Sequence, residues 1–283
     1  MSIIQNIGKL FCLLHLYIAL ELISNNLGLC ILSKRPDGYH EIETIMAEIP
    51  FCDILELTEA QHDSFEQTGL TFPPDGKLNL CQQAVALLRR QATFPNVHIH
   101  LRKQIPVGAG LGGGSSDASH TLLGLNQLFN LGFTLSQLES FAAQLGSDCA
   151  FFIRGGLQFA TGRGEILEPL KPLGLQKWLV LCNPGIHVST AAAYAQVNPS
   201  VEGESVADIL TTSAFSRLTN DFENSVFAQF PEIAQLKNAL NEAGAFYAAM
   251  SGSGSTVFAL FDQKPNLNKV LSKYLIYQGN WKF

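Results

Sequence analysis

Five glycines fall within the seven positions from Gly108 to Gly114, in the run Pro106, Val107, Gly108, Ala109, Gly110, Leu111, Gly112, Gly113, Gly114, Ser115, Ser116. Glycine has no Cβ and tolerates positive φ, so such a run can turn its N–H groups inward and let an anion reach the backbone. Immediately downstream Ala118, Leu122, Leu125 and Phe129 recur at helical spacing, with Ser115 or Ser116 as N-cap, and predict a helix over 116–130. A glycine loop running into a helix N-terminus brings unpaired N–H groups and the positive end of the dipole together. The chemistry this predicts is a cradle for the phosphates of a nucleotide.

Other glycine motifs fit less well. Gly108-x-Gly110-x-x-Gly113 matches the dinucleotide fingerprint, but Arg102-Lys103-Gln104 separates it from the strand predicted at 97–101, and the nearest following acid, Glu139, is badly placed. A Walker loop is excluded, because no Gly-Lys-Ser/Thr occurs. A flexible linker would seldom run straight into a capped amphipathic helix.

A second glycine loop, Ser251-Gly252-Ser253-Gly254-Ser255, lies between predicted strands at 246–250 and 256–261, and two such loops in separate halves suggest a ligand held between domains. Asp148 is the acid to pair with them, polar among apolar neighbours at a predicted helix-to-strand break. Its residue type leaves two roles open. It caps a helix, or it orients and deprotonates a hydroxyl while a γ-phosphoryl group sits on the first loop.

These groups need a scaffold, and the composition supplies one. With 283 residues, 47% of them hydrophobic and 15% charged, the chain can build two cores. We expect an α+β fold in two domains, 1–157 carrying the nucleotide site and 158–283 contributing to the substrate cleft, with Gly155-Gly156 and Gly162 to Glu165 marking the change. Eighteen basic against 24 acidic residues argue against a nucleic-acid surface. The apolar run 10–23 is short for a membrane span. Only Lys9 precedes it and no A-x-A site follows, so a buried strand or helix is expected there. Six scattered cysteines without metal-ligand spacing suit reduced thiols in the cytoplasm, and no metal centre is expected in the protein itself.

Three stretches together, the glycine loop, Gly146-Ser147-Asp148-Cys149-Ala150-Phe151-Phe152, and Met250 to Phe261, resemble the GHMP small-molecule kinases. Asn26 to Met46 with its Arg35-Pro36-Asp37-Gly38-Tyr39-His40 turn, together with 161–170, 183–194 and 218–224, resembles the branch acting on a cytidylyl methylerythritol in non-mevalonate isoprenoid synthesis. The resemblance covers residues 25 to 262. It implies an S5-like N-terminal domain, a ferredoxin-like C-terminal domain, and ATP with Mg²⁺ as phosphoryl donor. Pro106 to Ser116 would hold the triphosphate, Asp148 would be the base, and Asn26 would contact the methylerythritol. Tyr39 and His40 would face the cytosine, with Tyr194 sandwiching it from the other side. A small-molecule kinase of this kind is expected as a monomer or weak homodimer, with no nucleic-acid or membrane partner. The same fold with a mevalonate, homoserine or sugar acceptor would leave the turn and Tyr194 without a base to stack. One departure stands out: the family's Pro-x-Ala-Lys-Ile pattern before Asn-Leu-Gly-Leu is absent, and Ser24 stands at the lysine position. That departure raises the further alternative of a nucleotide-binding homologue with little activity.

Overall fold

The computed structural model describes residues 16–71, 78–200, 203–212 and 214–283. In chain order the elements are β1 (Leu16–Lys34), β2 (His40–Ala60), β3 (Ser64–Gly69), α1 (Leu80–Arg89), β4 (Asn96–Lys103), α2 (Gly113–Leu128), α3 (Leu135–Ala142) and α4 (Cys149–Arg154). There follow β5 (Leu157–Thr161), β6 (Ile166–Pro169), β7 (Gln176–Cys182), α5 (Thr190–Ala195), α6 (Val206–Thr211), α7 (Phe222–Gln229) and α8 (Pro231–Glu242). The chain closes with β8 (Tyr247–Met250), β9 (Val257–Phe261), α9 (Lys269–Tyr274) and β10 (Leu275–Lys282). Among the described residues no helix is long and apolar enough to cross a membrane.

The chain forms two compact units, one drawn from residues up to Ile23, Phe51–Val107 and Gly112–Arg154, the other from Ser24–Pro50, Gly108–Leu111 and Gly155–Phe283. It therefore crosses between them several times, where the sequence reading has one division after residue 157.

In the first unit, residues 54–60 of β2 run antiparallel to β4, whose other edge pairs in parallel with β3. Successive strand residues point to opposite faces. Leu55 and Leu57 on β2, and Val97, Ile99 and Leu101 on β4, therefore share one face, which the apolar sides of α1, α2, α3 and α4 cover through Ala84, Leu88, Leu122, Leu138 and Ile153. The same alternation carries two polar residues inward at the ends of these rows, Asp53 and Lys103, both buried. Helix α3 starts where Thr134 Oγ1 accepts from the Gln137 amide and Gln137 Oε1 accepts from the Thr134 amide, a capping box.

In the second unit, residues 44–47 of β2 pair antiparallel with β5, and β5 with β6. A separate antiparallel sheet has the order β10, β7, β9, β8. Its core joins Val180, Val257 and Ala259 to Phe222, Ile233 and Leu240. The C-terminal strand is fixed by Trp281, whose indole N–H donates to the Glu48 carbonyl at 2.7 Å.

Two expectations change here. The strand predicted at 97–101 continues through Lys103, because the inward row ends on a charged residue and not on an apolar one. The apolar segment after Asp148 is a helical turn, Cys149–Arg154, and not a strand; a short apolar run does not reveal its period. The helical spacing of Phe222, Val226, Phe230, Ile233, Leu236 and Leu240 runs through two helices, since Pro231 starts a new one. Leu16–Ile23 is strand, one of the two forms expected of the apolar run, while Lys9 and the rest of that run lie outside the described residues.

Candidate active site

The two ends of the glycine loop belong to the first unit. Strand β4 ends at Lys103, and the next two amides, of Gln104 and Ile105, both donate to Asp53 Oδ1 at 2.5 and 2.9 Å. At the far end Gly112 takes left-handed φ of 67° and opens α2. No side chain caps this helix, so Ser115 and Ser116 are not its N-caps: they lie inside its first turns, with Ser116 fully buried. The left-handed glycine starts the helix earlier than the serine signal predicts. The first-turn N–H groups are thus left to an incoming acceptor, which is what an anion site requires.

The middle of the loop, Gly108–Leu111, belongs to the second unit and rests on the second glycine loop. A Cβ on Gly110 would meet the Ser251 carbonyl oxygen at 2.0 Å, so only glycine fits. Ser251 Oγ donates to the Gly110 carbonyl at 2.7 Å and the Thr256 amide to the Ala109 carbonyl at 3.2 Å. Ser24, buried on β1, donates its amide to the Leu111 carbonyl at 3.3 Å. Asn220 Nδ2 in turn donates to the carbonyls of Met250 and Gly252, each at 2.8 Å. The second loop therefore acts as the shelf of the first.

Asp148 immediately precedes α4; it keeps an exposed face, while the protein packed around its carboxyl partly desolvates that group and raises it above the usual range. Desolvation of this sort brings a carboxylate closer in basicity to a hydroxyl it is to deprotonate. The segment is anchored by Ser119 of α2, whose hydroxyl donates to the Cys149 carbonyl at 2.7 Å.

Asn26, Tyr39, His40 and Tyr194 all lie in the second unit. Asn26 Nδ2 donates to Thr44 Oγ1 at 3.1 Å, and that hydroxyl donates to the Gly28 carbonyl at 2.6 Å. Tyr39 is 53% exposed, with the Arg163 guanidinium 4.5 Å above its ring. His40 and Tyr194 stack on one another with centroids 5.0 Å apart, and Phe222 meets Tyr194 edge-on at 4.7 Å. Two rings holding a base between them stand about 7 Å apart, so in this arrangement Tyr194 covers the His40 face directly.

The sequence reading missed Asp53, Lys103 and Asp117. Lys103 Nζ lies 2.5 Å from Asp53 Oδ2 and from Asp117 Oδ2, all three residues being buried. The signal was available in the period of two, which puts Asp53 in line with Leu55 and Leu57, and Lys103 with Ile99 and Leu101. Burial, helped by the Asp117 charge and opposed by the Lys103 ammonium, pushes the Asp53 carboxyl up from an ordinary 3.8 to about 6. Burial alone would lower Lys103, but the two carboxylates outweigh it and raise its ammonium above the usual range.

Among the described residues no group of three or more His, Cys, Asp or Glu side chains could hold a metal ion. The described cysteines Cys30, Cys52, Cys149 and Cys182 are free, and Cys12 lies outside the described residues.

The raised Asp53 value fixes a pH dependence. The folded state keeps this proton up to about pH 6, whereas the unfolded chain releases it near 3.8, so the group's contribution to stability is lost as pH rises between those values. Urea unfolding from pH 4 to 7 should show wild type losing stability relative to Asp53→Asn at up to about 1.4 kcal/mol per pH unit, then a constant difference above pH 6. A pH-independent difference would show that Asp53 titrates normally.

Comparison with known proteins places this geometry in company. The model for the GHMP kinases N terminal domain matches residues 79–156, and that for the GHMP kinases C terminal matches 202–277. The 4-diphosphocytidyl-2-C-methyl-D-erythritol kinase of Cytophaga hutchinsonii is 46% identical over 244 residues, 85% of this chain and 90% of the relative. The enzyme of the same name from Azobacteroides pseudotrichonymphae is 48% identical over 247 residues, 85% and 91% of the two chains. A crystal structure of 4-(cytidine 5'-diphospho)-2C-methyl-D-erythritol kinase superposes with TM-score 0.76 at 32% identity, covering 94% of this chain and 97% of the other. A homoserine kinase from Cytophaga hutchinsonii, at TM-score 0.63 and 16% identity, shares the fold.

Proposed function

This chain belongs to the 4-diphosphocytidyl-2-C-methyl-D-erythritol kinases within the GHMP kinases, and from that premise we propose how its residues carry the reaction. It is an ATP-dependent small-molecule kinase of two-domain GHMP fold, with an S5-like N-terminal and a ferredoxin-like C-terminal domain. It phosphorylates the 2-hydroxyl of 4-(cytidine 5'-diphospho)-2-C-methyl-D-erythritol, a step of non-mevalonate isoprenoid synthesis. At the level of sequence, residues 1–157 carry the nucleotide site and 158–283 the rest of the substrate cleft.

The observation that carries the site assignment is the glycine loop running into an uncapped helix. The triphosphate lies along Pro106, Val107, Gly108, Ala109, Gly110, Leu111, Gly112, Gly113, Gly114, Ser115 and Ser116, with the α2 dipole favouring its charge. Mg²⁺ would accompany ATP and would supply positive charge to offset that of the phosphates. The residues present fit that role, because Mg²⁺ needs one or two carboxylates beside the phosphates and no protein cage, and Asp148 exposes one. Asp148 accepts the proton of the 2-hydroxyl as its oxygen bonds to the γ-phosphorus, the bond from that phosphorus to the β–γ bridging oxygen breaks, and ADP leaves.

On the acceptor side, Asn26 donates one amide hydrogen to Thr44 and offers Oδ1 to a hydroxyl of the methylerythritol. The cytosine stacks on the aromatic group of Tyr39, His40 and Tyr194, and the His40 ring nitrogens read its edge. The enzyme works in the cytoplasm as a monomer or weak homodimer on this small molecule.

Incubating the purified chain with ATP and the cytidylyl acceptor, and following ADP release and the new phosphomonoester by ³¹P NMR, tests the assignment. Asp148→Asn should lower turnover by about 10²–10⁴ while ATP binding stays nearly intact. A variant that binds ATP poorly but turns over normally at saturation would make Asp148 structural. CDP should raise the melting temperature more than UDP does, and equal protection would remove cytosine reading from Tyr39, His40 and Tyr194. Ser24→Lys restores the family's ammonium and should raise turnover about 10²-fold, the scale of one preorganised charged group. Unchanged turnover would mean that another cation already serves.

A further inference from the structure

A run of glycines has no side chains with which to fix its own ends, and both ends of this one meet the same buried lysine. At the leading end, Asp53 Oδ1 takes the Gln104 and Ile105 amides while Oδ2 takes Lys103 Nζ at 2.5 Å, so the carboxylate sets the direction of the two peptides before Pro106. At the trailing end the same ammonium reaches Asp117 Oδ2 on α2, also at 2.5 Å. It passes close under the first helical residue: a Cβ on Gly113 would stand 3.2 Å from Lys103 Nζ and 2.9 Å from Ile105 Cγ2. The leading and trailing ends therefore touch, and one cation ties them together.

We propose that Asp53, Lys103 and Asp117 form a buried clamp that presets the glycine loop for the phosphates of ATP. The proposal rests on the reading of that loop as the ATP site. The three are positioning residues, because each is at most 3% exposed and acts on the loop from behind. The choice of charged groups has a physical reason. An apolar trio would bury as readily but would leave the Gln104 and Ile105 amides without acceptors, and would not fix the angle at which the chain leaves β4. A compact ammonium fits beneath Gly113, where a planar guanidinium would demand more room. The clamp carries a cost in Asp117 Oδ1, which is buried with no hydrogen-bond partner. A structure that needed burial alone would not retain it.

The test uses the full chain and two ligands as mutual controls. ATP and CDP affinities are measured calorimetrically for wild type, Asp53→Asn, Asp117→Asn and Gly113→Ala, alongside urea unfolding and amide exchange across residues 104–115. The two Asn variants keep the shape of the site, and Gly113→Ala disturbs the ammonium from the loop side. Each should weaken ATP about tenfold or more, the scale of one charge-assisted hydrogen bond, while CDP affinity moves less than about twofold. Exchange at Gln104, Ile105 and the first turn of α2 should quicken. Three outcomes overturn the clamp: ATP affinity unchanged in Asp53→Asn, amide exchange unchanged there, or ATP and CDP weakened together in step with lost stability. Wild type that binds CDP but no ATP, with the amides still loosening in Asp53→Asn, would instead overturn the reading of the loop as the ATP site, and the proposal with it.

Discussion

Lys103 places an ammonium in the core of the first unit at the end of a row of Val97, Ile99 and Leu101. Removing an ion from water costs several kcal/mol, and only close opposite charges with satisfied hydrogen bonds offset that. Here two carboxylates stand at 2.5 Å, and one of them spends its other oxygen on two backbone amides. The direction of the chain after β4 follows from that arrangement, and so does the start of the glycine loop. Glycine loses more conformational freedom on folding than any other residue, so a loop this rich in it must be shaped from outside. The first unit shapes its ends through charge. The second shapes its middle through backbone contact with the Ser251–Ser255 loop.

Local signals were legible in the sequence. The two glycine loops and the strands on either side of Ser251–Ser255 each depend on neighbours a few positions apart. What escaped depends on distant residues or on a broken pattern. Arg102 and Lys103 read as a polar connection, although the alternation along β4 sends Lys103 inward and Arg102 outward. The contact between the loops joins residues 141 positions apart, and neither loop announces the other. Five apolar residues after Asp148 carry too little sequence to reveal a helical turn. Pro231 is the opposite case, a plain breaker in a periodicity that otherwise ran smoothly from Phe222 to Leu240.

The acceptor side shows how residue types can be read while their arrangement cannot. Tyr39, His40 and Tyr194 are aromatic groups suited to a base. Yet Tyr194 sits on α5, packed edge-on by Phe222, and turns its face onto His40. Tyr39 meets the Arg163 guanidinium from the turn between β5 and β6. Arg35 ties that region together through Glu41, which also accepts from the Gly162 amide. The turn around Tyr39 is thereby a braced surface, its ring held by cation–π contact.

The close approach of Gly110 to Ser251 also bears on how this chain can change over generations. With the Ser251 carbonyl oxygen occupying the space of a side chain at 110, and the Gly254 carbonyl 3.0 Å from the same point, the two loops cannot drift separately. A residue gained on one side has to be met by backbone withdrawn on the other, and both runs sit among short strands and helix starts with little slack. A chimera joining the first half of one relative to the second half of another would therefore fold well only where both parents set these two loops at the same separation.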